Sequence, residues 1–468
     1  MPGLKKASWL DRLSPIQLLA LSFLTAIGIG SSLLLLPIST TSPISVIDAL
    51  FTATSAVCVT GLIVVDTGTR FTPFGQGVIL ALIQFGGLGI MITSSFLLLV
   101  FRRRTSLRNL IMLREEYTVS GFATPVKLIL AILTFTFIAQ AIGAVVLARR
   151  FAEVPELGHN PVWCGIFHSI SAFCNAGFSL FDTSFIAYRG DLTINLTIPP
   201  LIILGGIGFP AVIGLFQTMR ARVRGRRKAM SLHVKIVFMA TCMLLLLGTA
   251  AYLILESGSG QLAGADSSER LSVAWFQSVT TRTAGFNTLD FADAAEPTLL
   301  VTMILMVIGG SPGSSAGGIK TTTFVIILLV VFSWLRGRRR VEANKRTIPD
   351  SVVMKALVIA LMAVGLILAA TLVILLTDGA RIQAELEASG AQYGSFVSLL
   401  FHVVSAFGTV GLSMLDTAMA GALTWIGKLV IIIVMYFGRL GPLALAQMVL
   451  TAGRATNYRY PEENLLVG

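Results

Sequence analysis

Apolar residues fall along the chain in runs rather than in alternation. Runs near 16–36, 76–101, 125–147, 193–219, 233–255, 352–376 and 423–450 each carry enough apolar residues to cross a bilayer as a helix. An eighth, 296–336, is about 40 residues long and has Lys320 as its one internal charge. As a single helix it would measure about 60 Å at 1.5 Å per residue, twice the hydrocarbon thickness. It has to break, and GGSPGSSAGGIKTTT marks the place. Residues 309–318 hold five glycines, three serines and one proline, a composition that cannot sustain a helix. Non-helical backbone at membrane depth survives only where protein or a water-filled cavity surrounds it, so this loop is expected on the molecular axis.

Between the two runs of each pair lies a shorter apolar stretch. The first, SVIDALFTATSAV, has 13 residues and is too short to cross about 30 Å of hydrocarbon. It reads as a half-helix that enters the membrane and stops. The pattern predicts an all-α integral membrane protein: four pseudo-symmetric helix–pore helix–helix repeats around one central pore, with eight spanning helices. The repeats cover 13–104, 125–228, 229–346 and 347–454. Residues 105–124 are expected to form a cytoplasmic surface segment, and 455–468 a cytoplasmic tail.

The short stretches repeat in register. Each runs from an aromatic residue to an aspartate: Phe51 to Asp66, Phe167 to Asp182, Trp275 to Asp290, Phe401 to Asp416. Gly61, Gly177, Gly285 and Gly411 each follow their aromatic by ten residues, and Leu or Phe comes next. A second motif recurs about 25 residues later, inside the second helix of each unit. It reads Gly86-Gly87-Leu88-Gly89, Gly205-Gly206-Ile207-Gly208, Gly309-Gly310-Ser311 and Gly438-Arg439-Leu440-Gly441. Small residues mid-helix allow close backbone approach or a kink, and in the first two copies close helix packing is expected.

Composition agrees with a membrane protein. The chain has 468 residues, 55% hydrophobic and 12% charged, about half the charge of a soluble domain, with mean hydropathy +0.84. The net charge of +12 sits in short basic runs at 102–104, 220–228 and 336–346, beside apolar segments. That is the positive-inside pattern of cytoplasmic loops, not a nucleic-acid surface. With Lys5, Lys6 and Arg12 it puts both termini in the cytoplasm, with the chain expected in a plasma membrane. Cys58, Cys164, Cys174 and Cys242 show no metal or disulfide spacing and read as packing residues. No cleavable signal peptide is apparent. No nucleophile–base pair or metal-ligand set falls within the apolar segments, so an enzyme is not expected.

The four glycine loops fit the chemistry of a cation leaving water. Such an ion needs oxygen ligands, and backbone carbonyls supply them without burying charge. Glycine permits the backbone angles that turn successive carbonyls to one axis. The candidate filter is Val59-Thr60-Gly61, Asn175-Ala176-Gly177, Thr283-Ala284-Gly285 and Thr409-Val410-Gly411. The preceding half-helices aim their negative C-terminal ends at the same axis. The four aspartates either concentrate cations at the mouth or cap the returning loop. Arg282 is expected to point behind the filter and anchor it, and His168 and His402 to pack. Below the filter, the candidate gate is Gly309, Gly310, Ser311, Pro312, Gly313, Ser314, Ser315, Ala316, Gly317 and Gly318, with Lys320 and Arg439. A basic side chain at mid-bilayer is costly and functional by default. Arg439 reads as an electrostatic barrier, with an anchor to loop carbonyls as the alternative; Lys320 either joins it or snorkels.

These features together resemble the Trk/Ktr/HKT superfamily of potassium transporters: four helix–pore–helix units, one glycine per filter loop, GGSPGSSAGGIKTTT and GRLGPL. The resemblance covers nearly the whole chain. Trk-type subunits carry an extra helix pair before the first unit, whereas here the first unit starts almost at once, so the likeness is to the KtrB type of membrane subunit. It implies K+ as the transported ion at the filter carbonyls, and 309–318 as the intramembrane gate. It also implies a homodimer with one pore per subunit, seated on a cytoplasmic ring of nucleotide-binding KtrA-type subunits. The chain itself has no Gly-rich nucleotide fingerprint, so no organic cofactor is expected in it. Cys58 departs from the resemblance, since relatives often carry Thr there. The function expected is gated, channel-like K+ uptake. Symport of K+ with Na+ or H+ is the alternative, disfavoured because no acidic residue lies clearly mid-span.

Overall fold

The computed structural model describes residues 15–104, 125–154, 158–225, 229–258, 261–338 and 340–441. The segment 105–124, the tail 455–468 and the N-terminal lysines lie outside the described residues. Within them the chain is helical, apart from a small hairpin that pairs Glu342–Ala343 with Arg346–Thr347.

Each unit begins with a long outer helix: Pro15–Leu34, Pro125–Ala152, Leu232–Glu256 and Asp350–Ser389. A short pore helix follows: Val46–Val57, Pro161–Cys174, Ser267–Thr280 and Ser395–Gly408. Side-chain caps start three of them. Ser45 accepts from Asp48 N–H, Asn160 from Val162 and Trp163 N–H, and Asp266 from Ser268 N–H. At 12 to 14 residues they are about 18–21 Å long, short of a full crossing. Their C-terminal halves are buried all round, so their ends meet protein rather than lipid.

Two large apolar cores divide the molecule, and neither is confined to its own units. The core of the third and fourth units takes in Phe51, Cys58 and Leu62 from the first. The core of the first and second takes in Phe276, Ala284 and Phe286 from the third. Phe286 packs on Phe185 at 5.3 Å between ring centroids. Phe185 N–H donates to Asn287 O across the second and third units, and Tyr393 Oη to Ala294 O across the third and fourth. Lys428 Nζ pairs with Asp48 at 2.6 Å between the fourth and first. The four units are therefore fastened in cyclic order.

Five helices among the described residues are long and apolar enough to cross a membrane: Gln17–Leu34, Pro73–Ile92, Val126–Ala152, Leu232–Glu256 and Asp350–Ser389. The expected single span over 193–219 is instead two helices, Leu192–Gly206 and Phe209–Val223, bent by 97°. The cause is local. Gly208 adopts φ +89°, closed to most side chains, and Phe209 N–H leaves the helix to bond Gly313 O at 3.2 Å. The second glycine motif thus adds a corner at Gly208 to the close packing expected of it, for a Cβ on Gly205 would strike Phe173 O. The first copy meets that expectation too: Pro73–Arg104 runs unbroken, and Gly86 lies so close to Val57 O that a Cβ would strike it. The fourth inner helix, Trp425–Leu440, ends at Gly441 with φ +90°, the same turn as Gly208. The third breaks where its composition demands, between Glu296–Val307 and Thr321–Leu335.

Candidate functional site

The four candidate triplets share one backbone conformation. Val59, Asn175, Thr283 and Thr409 have φ of 55°, 61°, 79° and 49°. Seven non-glycine residues among those described have positive φ, and these four hold the same place in every loop. Such angles are costly for side chains that are β-branched, as three of the four are. The glycine two residues on is also positive, at 87°, 70°, 79° and 98°. Each loop thus has left-handed residues at its first and third places.

Hydrogen bonds fix that conformation. In the first, second and fourth units the pore helix ends in a Schellman closure. Val59, Asn175 and Thr409 N–H reach back three residues, and Thr60, Ala176 and Val410 N–H reach back five. A serine six residues before the glycine adds a side-chain clamp. Gly61 N–H donates to Ser55 Oγ and Gly411 N–H to Ser405 Oγ, each at 3.1 Å. Ser171 Oγ donates to Phe178 O at 2.9 Å. The third unit has Val279 at this place. The sequence reading missed these serines, although their recurrence at 55, 171 and 405 was a legible signal.

The four glycines meet in a closed ring. A Cβ on Gly61 would fall against Ala176 O and 3.0 Å from Gly177 Cα; one on Gly177, 3.0 Å from Gly285 Cα. From Gly285 it would lie 3.1 Å from Gly411 Cα, and from Gly411, 3.1 Å from Gly61 Cα. No side chain fits inside this ring, which is the physical reason for glycine at all four places.

The loop 309–318 lies directly beneath. A Cβ on Gly317 would strike the Thr409 side chain, and Ser315 Oγ lies 3.4 Å from the Asn175 amide oxygen. The other glycine motifs hold the loop. Ser311 N–H donates to Gly206 O at 3.0 Å, Ser315 N–H to Gly205 O at 3.2 Å, and Gly318 N–H to Gly438 O at 3.2 Å. Gly309 N–H and Ile319 N–H close its base onto Ile319 O and Val307 O, at 2.9 and 3.1 Å.

Three cations surround the loop. Arg439, 3% exposed, donates to Ser315 O and, at 2.8 Å, to Gly86 O of the first unit. The geometry at Arg439 is therefore that of the anchor, the alternative to a free electrostatic barrier. Lys320 Nζ donates to Ala316 O at 2.5 Å and so turns to the loop. Arg282, the residue before the third triplet, reaches Gly309 O at 3.2 Å and Thr321 Oγ1 at 3.3 Å through Nη2. Carbonyl and hydroxyl oxygens partner these buried cations where carboxylates would have cancelled their charge, and the Nε of Arg282 and of Arg439 is left without a partner among the described residues.

Three of the four aspartates cap loops. Asp66 accepts from Thr69 N–H, Asp416 from Met419 N–H and Asp290 from Ala292 N–H, while Asp182 is exposed. His168 packs, stacked on Phe181 at 4.7 Å and within reach of Cys164 O and Ser179 Oγ. His402 lies 3.0 Å from Ser413 Oγ. Two buried carboxylates were not singled out from the sequence. Glu256 accepts from Ala295 N–H and Thr298 Oγ1, and Asp378 from Thr424 N–H and Oγ1. Glu256 ends its outer helix and Asp378 lies within its own, and each meets the start of its unit's inner helix, Glu296–Val307 or Trp425–Leu440, rather than a triplet.

Comparison with known proteins agrees with this geometry. The family model for TrkH, described as a cation transport protein, matches residues 14–453. The chain is 39% identical over 466 residues to the Ktr system potassium uptake protein B of Bacillus subtilis (strain 168), covering 99% of each. It is 39% identical to the potassium/sodium uptake protein NtpJ of Enterococcus hirae, covering 98% of each. The crystal structure of the potassium transporter TrkH from Vibrio parahaemolyticus superposes with a TM-score of 0.72 at 20% identity, covering 94% of this chain and 86% of that one. Fold, ring and matched length all point the same way: this multi-pass membrane chain belongs to the TrkH family of cation transport proteins.

Proposed function

We propose that the chain is the translocating subunit of a Ktr-type potassium uptake system, a gated pore with the glycine ring as selectivity filter and 309–318 as gate. The observation that carries this is the ring itself: four triplets of one backbone conformation, glycine to glycine, above a buried glycine-rich loop. K+ is named for the relatives of nearly equal length, with Na+ beside it for one of them. In this reading the four units span eight times and enclose one pore. Leu192–Gly206, the broken third inner helix and Trp425–Leu440 complete the five long helices. The filter comprises residues 59–61, 175–177, 283–285 and 409–411, whose carbonyls replace the water of K+.

The loop occludes the path from below while Arg439 and Lys320 hold it, and leaves when those bonds break. A homodimer on a cytoplasmic ring of nucleotide-binding subunits supplies the pull, with the nucleotide on the partner. The membrane is the bacterial inner membrane, with both termini cytoplasmic. Glu256 and Asp378 are engaged by backbone and hydroxyl donors away from the triplets, which supports a pore over K+ symport with Na+ or H+.

The test is K+ uptake in cells lacking their own K+ systems, with and without the ring subunit, for the parent and Gly61→Ser. A side chain at φ +87° costs about 1–2 kcal/mol, and its Cβ has no room beside Ala176 O. The ring must reshape, and K+/Na+ discrimination should fall by roughly tenfold. An unchanged permeability ratio and rate in a correctly inserted Gly61→Ser chain would remove the filter assignment.

A further inference from the structure

One of the four filter loops is held differently from the rest. In the first, second and fourth units the triplet is locked within its own unit, by a Schellman closure and a serine hydroxyl. The third has Val279 where the serine would be, and its glycine N–H reaches Thr280 O at 3.4 Å. Gln277 braces Thr288, three residues beyond the glycine, so the triplet is held within its unit only by backbone bonds to Thr280 O, from Ala284 N–H at 2.9 Å as well as from the glycine, and from the second unit by the Asn175 side-chain amide 3.2 Å from Thr283 Oγ1. The residue just before each triplet differs too. It is Cys58, Cys174 and Gly408 in the other units and Arg282 in the third.

Arg282 is 7% exposed and covalently adjacent to Thr283. Its guanidinium bonds to Gly309 O, at the base of the loop, and to Thr321 Oγ1, at the start of the helix beyond it. Thr321 Oγ1 in turn donates to Gly309 O at 3.2 Å and lies 3.4 Å from Ser311 Oγ. Both ends of the gate loop and the base of the third triplet therefore meet at one guanidinium. Arg439 does not do this. Its acceptors are Ser315 O and Gly86 O, and it touches no triplet through its own backbone.

We propose that Arg282 is a positioning residue that ties the third filter triplet to the seat of the gate loop, so that ion discrimination depends on where that loop lies. The inference rests on the filter and gate reading above. While the loop is seated, Gly309 O and Thr321 Oγ1 fix the guanidinium, and through it the backbone of Thr283. When the loop leaves, the third triplet loses the hold its serine would have given, and its carbonyls spread. The ring then accepts ions of more than one size. Three subsites are set by their own units, and the fourth by the gate.

The experiment measures K+/Na+ permeability ratios from reversal potentials, with total flux alongside, for the full chain in liposomes. The variants are Thr321→Val, Arg282→Met and their double, with Arg282→Lys as the conservative replacement and Gly61→Ser in parallel. Thr321 touches no triplet, so its hydroxyl reaches the filter through Arg282. Losing one acceptor from a charged donor should lower the ratio by roughly three- to tenfold. Arg282→Met should lower it by a similar factor, the double variant no further, and Arg282→Lys should restore part of it. A Thr321→Val chain whose flux changes while its ratio stays at the parent value overturns the coupling. If Gly61→Ser shifts the ratio in that same series, the filter reading stands and the coupling alone has failed. If neither shifts it, both are wrong. Should Arg282→Met fail to insert, Thr321→Val still decides the matter.

Discussion

Gly317→Ala isolates the seat of the proposed gate loop without altering any charge. Gly317 lies under the fourth triplet, and a Cβ there would strike Thr409 Oγ1 and lie 2.8 Å from Cγ2 and 3.0 Å from Cβ. Rotating Thr409 does not relieve this. Both γ atoms face Gly317, so turning χ1 to either other staggered position leaves one of them in place. The backbone of Gly317 is outside the positive-φ region, so alanine brings no torsional strain of its own. It also restricts the unfolded chain, which favours folding by about 0.4–1 kcal/mol. The clash is therefore specific to the seated loop. Overpacking a fitted site costs about 1–3 kcal/mol, which lowers the ratio of seated to unseated loop by roughly 5- to 150-fold. The assay is K+ flux into liposomes carrying the chain without its ring subunit. Flux should rise at least several-fold, and Thr409→Ser in the same chain, which leaves one γ atom free to turn away, should return it toward the parent. Parent-level flux from a folded and inserted Gly317→Ala chain would refute the argument, as would a fall that Thr409→Ser does not reverse.

Two further outcomes follow from the same contacts. Arg439→Ala removes donors to Ser315 O and Gly86 O, each bond worth about 1.5–3 kcal/mol from a charged group, so ring-independent flux should rise by tenfold or more; a fall at normal membrane insertion would contradict the latch. Lys428→Met strands Asp48, 2.6 Å away and largely buried, and should lower the unfolding midpoint in detergent, by about 3 kcal/mol of stability at the low end for a broken buried pair. Asp48→Asn added to that chain should recover part of the loss, and an unchanged midpoint in the single variant would show that the pair does not clasp the first unit to the fourth.

Much of this architecture was written in the chain order. Length against hydropathy separated spans from half-helices, because an apolar stretch of 13 residues cannot cross about 30 Å. Register fixed the four glycines, and composition alone required a break at 309–318. These are local properties, set by how long a helix is and what its residues tolerate. What the sequence left open depends on where elements meet. The corner at Gly208 looked like the straight passage at Gly86, since both read Gly-Gly-x-Gly. The corner exists because Phe209 N–H finds Gly313 O on another unit. Arg439 could have faced the ion path as a free charge; instead two carbonyls, from the loop and from the first unit, surround it. The aspartates read equally as cation collectors or caps, and three of them found backbone N–H groups to bond. Those caps are local, two or three residues along the chain, whereas the acceptors that make Arg439 hold a loop lie 124 and 353 positions away, and only the tertiary structure brings them together.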